Sequence, residues 1–451
     1  MLKQTSSQAS WAKALRVYLD PRVLSMMFLG FSSGLPFGVL AEPLTAWLSD
    51  AGVQKTEIGL FALVSIPYSL KFLWAPIMDR VSLPVLTRVF GRRRSWVLLT
   101  QGLLFFSIIQ LGATNPNEGL WWVAVFALLV SFASASQDIV IDAYRVEILE
   151  EKQLAAGAAL AINGWRLSSW GGAALALMFA DLMSWQVVFL CLSVATGVGV
   201  LAILLNPEPS KKISDNIVVI ENRARLELKK RKYISDQTAD LFVWIYSSVF
   251  CPFIEFIARP NWILIILFIL LYKFGDAVLT VMKIPFFLEI GFSKSEIGAI
   301  AKIFGFPPVV LGALFGGLLL AKIGMMRGLL VSGVLMAASN LVFILQAWVG
   351  YSQEMLAVTI SIENFTTSMG TVAFVAYLSS LCNIAYTATQ YALLTSFMAF
   401  SRTIMTSGSG WVADSVTWPV FFILTTVAAL PGLILLIFLI KRTQTSILSS
   451  D

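Results

Sequence analysis

Long apolar stretches alternate with short polar connectors along nearly the whole chain. A bilayer core about 30 Å thick requires about 20 apolar residues per helix. Twelve stretches meet that length, at residues 22–46, 56–78, 95–113, 119–146, 153–180, 184–205, 262–290, 295–320, 327–349, 354–382, 386–413 and 418–440. The pattern therefore predicts an all-α polytopic membrane protein with twelve transmembrane helices.

The twelve predicted helices fall into two groups of six. Residues 1–205 form the first half, 206–261 a long connector with the basic run 229–232, and 262–451 the second half. The second helix of each half opens with Glu-Ile-Gly, at 57–59 and at 296–298. Such a repeat is typical of transporters that rock around a midplane site, although a duplicated bundle without a pore would also repeat.

One further segment, residues 241–258, is apolar enough to be a thirteenth span. It contains Pro252 and Glu255, and Asp240 precedes it. If it crossed the bilayer, the basic residues of the second half's short loops would face outward, against the positive-inside rule. We therefore interpret it as an interfacial segment with Trp244 and Tyr246 at headgroup level.

Lysine and arginine are confined to alternate connectors. They lie in the N-terminal arm (Lys3, Lys13, Arg16, Arg22), in the second loop (Arg80, Arg88, Arg92, Arg93, Arg94) and at nine positions of the long connector. The alternate connectors have no basic residue around 114–118, 180–185, 350–354 and 414–418, and Lys55 and Lys294 are the exceptions on that side. The positive-inside rule then predicts that both termini are cytoplasmic.

Composition narrows the possible functions. The chain is 58% hydrophobic and 13% charged, which excludes a soluble enzyme. It has no His, the usual metal ligand and proton shuttle, and its three Cys are far apart. No nucleophile–base pair stands in a loop, which disfavours a membrane-embedded transferase, and we expect neither an enzyme nor a metal site. The N-terminus lacks the pattern of a cleaved signal, so we expect the first apolar helix to be retained.

Ionisable residues inside the predicted spans carry the functional argument, because each costs at least about 2.5–3.5 kcal/mol in a membrane. They are Glu42, Lys71, Asp138, Asp142, Arg145 and Arg166 in the first half, and Lys273, Asp276, Lys302, Glu363 and Arg402 in the second.

Asp138, Asp142 and Arg145 share one face of the fourth helix. Counting about 1.5 Å per residue places Lys71 and Asp138 roughly 12–14 Å deep and Arg166 roughly 20 Å deep, so the three could meet. We predict that Asp138 is the leading proton-coupling residue. The alternative is a permanently paired structural aspartate. For Asp142 and Arg145, a structural relay with the Asp79-Arg80 loop is the alternative to a site role.

The second half has three cations and only two carboxylates inside its predicted spans. The cations are Lys273, Lys302 and Arg402, and the carboxylates are Asp276 and Glu363. A dry interior would leave one cation unpaired, which an anionic ligand could compensate. We therefore predict an acidic solute, with Lys273 and Arg402 among its ligands. The further substrate-binding candidates are Lys71, Gln137 and Arg166. Asp142, Asp276 and Glu363 are further proton-coupling candidates. The alternative is that Lys302 or Lys283 extends to the outer surface.

Glycines and aromatic residues complete the candidate list. Gly30, Gly34 and Gly38 recur every four residues, which favours close helix packing. Trp165, beside Arg166, could stack on a sugar ring.

Two resemblances sharpen these expectations. Asp79-Arg80 followed by Gly91-Arg92-Arg93-Arg94 resembles the loop signature of the major facilitator superfamily. The resemblance implies two pseudo-symmetric six-helix bundles and a conformational latch formed by Asp79, Arg80 and Arg92. A purely topogenic loop would explain the arginines equally well.

Over nearly its whole length the chain also resembles the AmpG-type muropeptide permeases. The matching stretches include GFSSGLPFG (30–38), KFLWAPIMDR (71–80), SASQDIVIDAYR (134–145), AINGWRL (161–167), LYKFGDA (271–277) and TATQYALL (387–394). By this resemblance Ala135, Gln137 and Asp138 belong to a motif on which the family depends. The chain departs from the family at Thr366, Thr367 and Ser368, where relatives favour smaller residues, and this departure bears on substrate preference.

The resemblance implies proton-driven uptake of cell-wall fragments across the bacterial inner membrane by alternating access. The solute would be N-acetylglucosamine linked to anhydro-N-acetylmuramic acid, with or without peptide, an anionic glycopeptide. We expect no cofactor beyond the proton gradient, no nucleic-acid partner and a monomer in the lipid bilayer. A carrier of another anion such as acetyl-CoA is the alternative, but several phosphates would call for more clustered arginines.

Overall fold

A computed structural model describes residues 11–210, 246 and 250–448, and in these residues it contains helices and no β-strand. Each of the twelve predicted spans coincides with a helical segment. They are α1 (Pro21–Asp50), α2 (55–80), α3 (Arg92–Ala113), α4 (Leu120–Ile148), α5 (154–180), α6 (Trp185–Leu205), α7 (Trp262–Ile290), α8 (Lys294–Ile323), α9 (Met325–Val349), α10 (Gln353–Ser380), α11 (387–415) and α12 (Trp418–Leu448).

In the described part of the chain, three short α-helices lie outside these spans: Trp11–Val17, Leu86–Phe90 and Cys251–Ile257. The basic run 229–232 and Trp244 fall outside the described residues, so the interfacial position of 241–258 stays a prediction. Cys251–Ile257 has seven residues, far fewer than a bilayer crossing requires.

Several spans are interrupted. α1 breaks at Ala41, and α2 alternates between α-helix and 3₁₀-helix over residues 55–80. A π-helical turn, Leu167–Gly171, divides α5, and α7 is broken at Tyr272–Lys273. Prolines account for part of this irregularity, because Pro43, Pro67 and Pro76 each lack a backbone N–H and cannot occupy a regular helix interior without cost.

The breaks matter for counting spans. In the described part of the chain, nine helices are each long and apolar enough to cross a membrane. The count rises to ten if Gln353–Ser380 and Ile384–Arg402, which meet at a bend of 98°, are joined. α5 is not among the nine.

The glycine repeat of α1 packs directly against α5. A Cβ added at Gly30 would lie 2.1 Å from the carbonyl oxygen of Ala161, and one at Gly34 would lie 2.2 Å from that of Trp165. Gly38 meets Ser169 in the same way, at 2.8 Å. Only glycine allows this approach, so the repeat fixes how α1 and α5 cross.

The two halves face each other through α2, α4 and α5 on one side and α8, α10 and α11 on the other. Asn163 of α5 donates a hydrogen bond to the carbonyl oxygen of Val310 in α8, at 3.3 Å. We call the end of the molecule that holds Arg92, Arg93 and Arg94 the basic end. There Tyr18 donates to the carbonyl oxygen of Leu314, at 2.9 Å.

Candidate functional site

Asp138 of α4 lies in a polar cluster of the first half. Ser33 of α1 donates a hydrogen bond to its Oδ1 atom at 2.6 Å. Lys71 of α2 is buried and attracts the carboxylate, while Asp142, one turn along α4, repels it. Lys71 and Asp138 are thus brought together, in line with the depth count.

Arg145 points toward the second half. It pairs with Asp142 at 3.0 Å and donates a hydrogen bond to the hydroxyl of Tyr391 in α11 at 2.8 Å. Its guanidinium also lies 5.3 Å from the centre of the Tyr391 ring. Asp79 of the Asp79-Arg80 loop pairs with Arg93. The relay from Asp142 and Arg145 to that loop stays a prediction.

The second half contributes two ion pairs. The break in α7 leaves Lys273 just before a new helix, where its ammonium lies 3.7 Å from Asp276 and donates to Thr371 of α10 at 2.8 Å. About two turns beyond Asp276, Lys283 pairs with the buried carboxylate of Glu363 at 3.1 Å. The expectation that Lys283 could extend to the outer surface is therefore wrong.

Arg166 of α5 faces the second half. Its electrostatic partners are Glu363 and Asp276, whereas the depth count had grouped it with Lys71 and Asp138. Arg166 and Arg402 both repel Lys273. Arg402 is exposed. Lys302 is exposed as well, and the alternative that it extends to the outer surface stays a prediction.

The cluster between the halves carries more positive than negative charge. Arg166, Lys273, Lys283 and Arg402 stand against Asp276 and Glu363, a surplus of two cations. Among the described residues, no carboxylate lies within 4 Å of either arginine, while each lysine has one. The arrangement can hold an anion without displacing an existing ion pair.

Two other predicted ligands, Trp165 and Gln137, lie in the first half. Trp165 is half-buried in the first half, with its ring 5.3 Å from that of Phe37, which in turn lies 5.8 Å from the ring of Tyr68. Gln137 is fully buried inside the first bundle and donates to Ser32 at 2.9 Å. Direct substrate contact by Gln137 is therefore wrong for this conformation. Ala135 is also fully buried.

At the basic end, Asp79 joins the two halves. Its carboxylate accepts hydrogen bonds from the backbone N–H of Ala388 at 3.1 Å, and from the N–H and hydroxyl of Thr389 at 2.7 Å each. Arg93, itself buried, pairs with Asp79 at 2.7 Å. The first half thus caps the start of α11.

The neighbours of Asp79 extend this closure. Arg80 lies over the ring of Tyr386 at 5.5 Å, and Arg92 donates to the Asp79 carbonyl oxygen and lies 3.9 Å from Glu147. Sequence reasoning named Asp79, Arg80 and Arg92 but gave no role to Thr389 or Tyr391. Both lie in the stretch TATQYALL, so the family motif held the missing signal.

Comparison with known proteins agrees with this architecture. The model of the Major Facilitator Superfamily matches residues 23–272 and 264–450. The chain is 36% identical to the anhydromuropeptide permease of Escherichia coli strain K12, covering 94% of this chain and 80% of the relative. It is 31% identical to putative transporter AmpG 4 of Rickettsia felis, covering 95% and 99%.

Two solved structures share the fold at 12% sequence identity. The proton:xylose symporter XylE has a TM-score of 0.61, covering 95% of this chain and 96% of its own. The Escherichia coli fucose:proton symporter FucP has a TM-score of 0.62, covering 92% and 97%. The predicted fold class of two six-helix bundles is confirmed.

Proposed function

Because the chain belongs to the AmpG-type permeases of the Major Facilitator Superfamily, we propose that this membrane transporter imports muropeptides. The solute is N-acetylglucosamine linked to anhydro-N-acetylmuramic acid, with or without peptide. The similarity to the anhydromuropeptide permease supports this assignment of the substrate class.

One structural observation carries the proposal: the surplus of two cations between the halves. The lactyl group of the anhydro sugar, or the carboxylates of an attached peptide, would balance Arg166 and Arg402. A planar guanidinium binds a carboxylate through two parallel hydrogen bonds, so Arg166 is suited to this contact. Acetyl-CoA, with several phosphates, would require more arginines than these two.

Proton coupling and alternating access form the second part of the proposal. Asp138 is close to Ser33, Lys71 and Asp142, so its protonation depends on whether solvent reaches it. The contacts of Asp79 with α11 support a conformation that is closed at the basic end. Opening would break these contacts and expose the cluster to the other side.

Uptake into proteoliposomes tests the function. The purified full chain is reconstituted, and entry of the radiolabelled anhydro-disaccharide is followed with and without an imposed proton gradient. We expect accumulation that depends on the gradient and is reduced by unlabelled disaccharide but not by acetyl-CoA. Equal entry into protein-free liposomes, or competition by acetyl-CoA alone, would contradict the proposal.

Orientation in the bacterial inner membrane is also part of the proposal. We place both termini and the basic end in the cytoplasm, because the basic residues concentrate there. A tag inserted at Asn117 should then be labelled from the periplasm by a membrane-impermeant reagent, and one at Lys229 should not. The opposite labelling would overturn this orientation.

A further inference from the structure

Two carboxylates of the second half lie within electrostatic range of Arg166, yet neither pairs with it. Both oxygens of Glu363 are held by Lys283, at 3.1 and 3.2 Å. Asp276 is held on both sides as well: its Oδ2 atom faces Lys273 at 3.7 Å, and its Oδ1 atom accepts a hydrogen bond from Thr367 at 2.6 Å. Arg166 therefore stays available because its natural partners are occupied.

We propose that Thr367 is a specificity-determining residue whose hydroxyl holds Asp276 away from Arg166, leaving Arg166 to bind the anionic group of the solute. Thr367 acts through Asp276 and is a positioning residue. The inference rests on the proposed function and adds to it the source of the preference for acids.

The hydrogen bonds around Thr367 run in one consistent direction. Lys273 donates to the hydroxyl of Thr371, which donates to the backbone carbonyl of Thr367 at 2.7 Å. Thr367 lies one turn from Thr371 on the same face of α10, and its hydroxyl donates to Asp276 at 2.6 Å. Asp276 lies in the first turn of the helix that begins after the break in α7. Its backbone position is therefore not fixed by the helical segment before the break.

Loss of the Thr367 hydroxyl leaves Oδ1 of Asp276, a 7%-exposed residue, without its donor. A buried carboxylate oxygen that loses a donor reorients toward another positive group. Lys273 already faces the other oxygen, so Arg166 is the group left to attract it. A solute anion would then compete with Asp276 for the same guanidinium.

Calorimetric binding to the full chain in nanodiscs tests the inference with two probes. One is the anhydro-disaccharide acid, and the other is its neutral carboxamide. In Thr367→Val we expect the acid to bind about tenfold more weakly, since a hydrogen bond to a charged group contributes about 1.5–3 kcal/mol and 1.4 kcal/mol is a factor of ten. Affinity for the carboxamide should not change, and Thr367→Ser should restore affinity for the acid.

The adjacent residue supplies a matched control. The hydroxyl of Thr366 faces Ser339 of α9 at 2.9 Å, away from the charges, so Thr366→Val should leave both affinities unchanged. If Thr367→Val does not yield folded protein, Thr367→Ala removes the same hydroxyl with a smaller side chain and carries the same expectation.

The Asp276→Asn variant tests whether the effect of Thr367→Val on acid affinity depends on the charge of Asp276. In Asp276→Asn the side chain has no charge with which to compete for Arg166, so adding Thr367→Val should change acid affinity less than twofold. A tenfold loss in that background too would overturn the positioning role, as would equal affinities of wild type and Thr367→Val. Wild-type protein that binds neither probe would instead overturn the proposed function, and the inference with it.

Discussion

The contact between Asp79 and the start of α11 offers the clearest test of how the molecule closes. Asp79→Asn keeps the size of the side chain but removes its charge and one acceptor oxygen. The carboxylate accepts three hydrogen bonds from the other half, one from Ala388 and two from Thr389. Hydrogen bonds to a charged group contribute about 1.5–3 kcal/mol each. Losing two of them costs the closed conformation about 3 kcal/mol, or about a hundredfold in its ratio to the open one.

Spin labels at Arg88 and Arg327 can measure this shift. Both side chains are exposed at the basic end, one in each half, so labels there report the separation of the halves. Double electron–electron resonance should show a short distance in the unsubstituted protein and a longer, dominant one in Asp79→Asn. Glu151→Gln, an exposed carboxylate of the same end, is the control and should change nothing. An unaltered distance distribution in Asp79→Asn would refute the closure model.

Three further substitutions probe the charges and the packing. Asp138→Asn should abolish gradient-driven uptake in proteoliposomes while the protein still inserts; normal pH-dependent uptake would remove Asp138 from the coupling role. Arg166→Lys should weaken binding of the anionic disaccharide about tenfold in calorimetry, because the planar donor pair is lost, and an unchanged affinity would assign Arg166 to structure. Gly34→Ala should lower the thermal unfolding midpoint, at a cost of about 1–3 kcal/mol, because its Cβ would lie 2.2 Å from the carbonyl oxygen of Trp165. Gly59→Ala meets no atom within 4 Å and should unfold like the wild type, so equal midpoints for the two variants would contradict the packing argument.

The location of the spans could be predicted from sequence because hydropathy is a property of contiguous residues. Every predicted span corresponds to a helical segment in the structure. The breaks could not be predicted, since a π turn at Leu167–Gly171 or an interruption at Tyr272–Lys273 leaves the average hydropathy unchanged. These breaks set the positions of Arg166 and Lys273. The geometry of the site therefore depends on local helix irregularities that hydropathy does not reveal.

The members of the site were accessible to sequence reasoning, but their partners were not. A charge within an apolar run is visible at once, and depth counting correctly joined Lys71 to Asp138. Depth alone does not say toward which half a side chain points, however. Arg166 was therefore placed with the wrong carboxylate, and Lys283 was not matched to Glu363. The direction in which Arg166 points depends on how α5 packs against α1. Gly30 and Gly34 fix that packing through close contacts with α5, which hydropathy does not show.

The distribution of pairing between the halves argues for a carrier rather than a static bundle. At the basic end, charge is satisfied across the interface, by Asp79 with α11 and by Arg145 with Tyr391. Near Arg166, Asp276 and Glu363 each pair with a lysine of the second half. Arg166, the cation contributed by the first half, pairs with neither of them. A bundle selected only for stability would have paired that guanidinium across the interface, since an unpaired charge in a membrane is costly. A solute that brings its own negative charge removes this cost while it is bound, and its departure restores the cost, so binding and release are coupled to how the two halves meet.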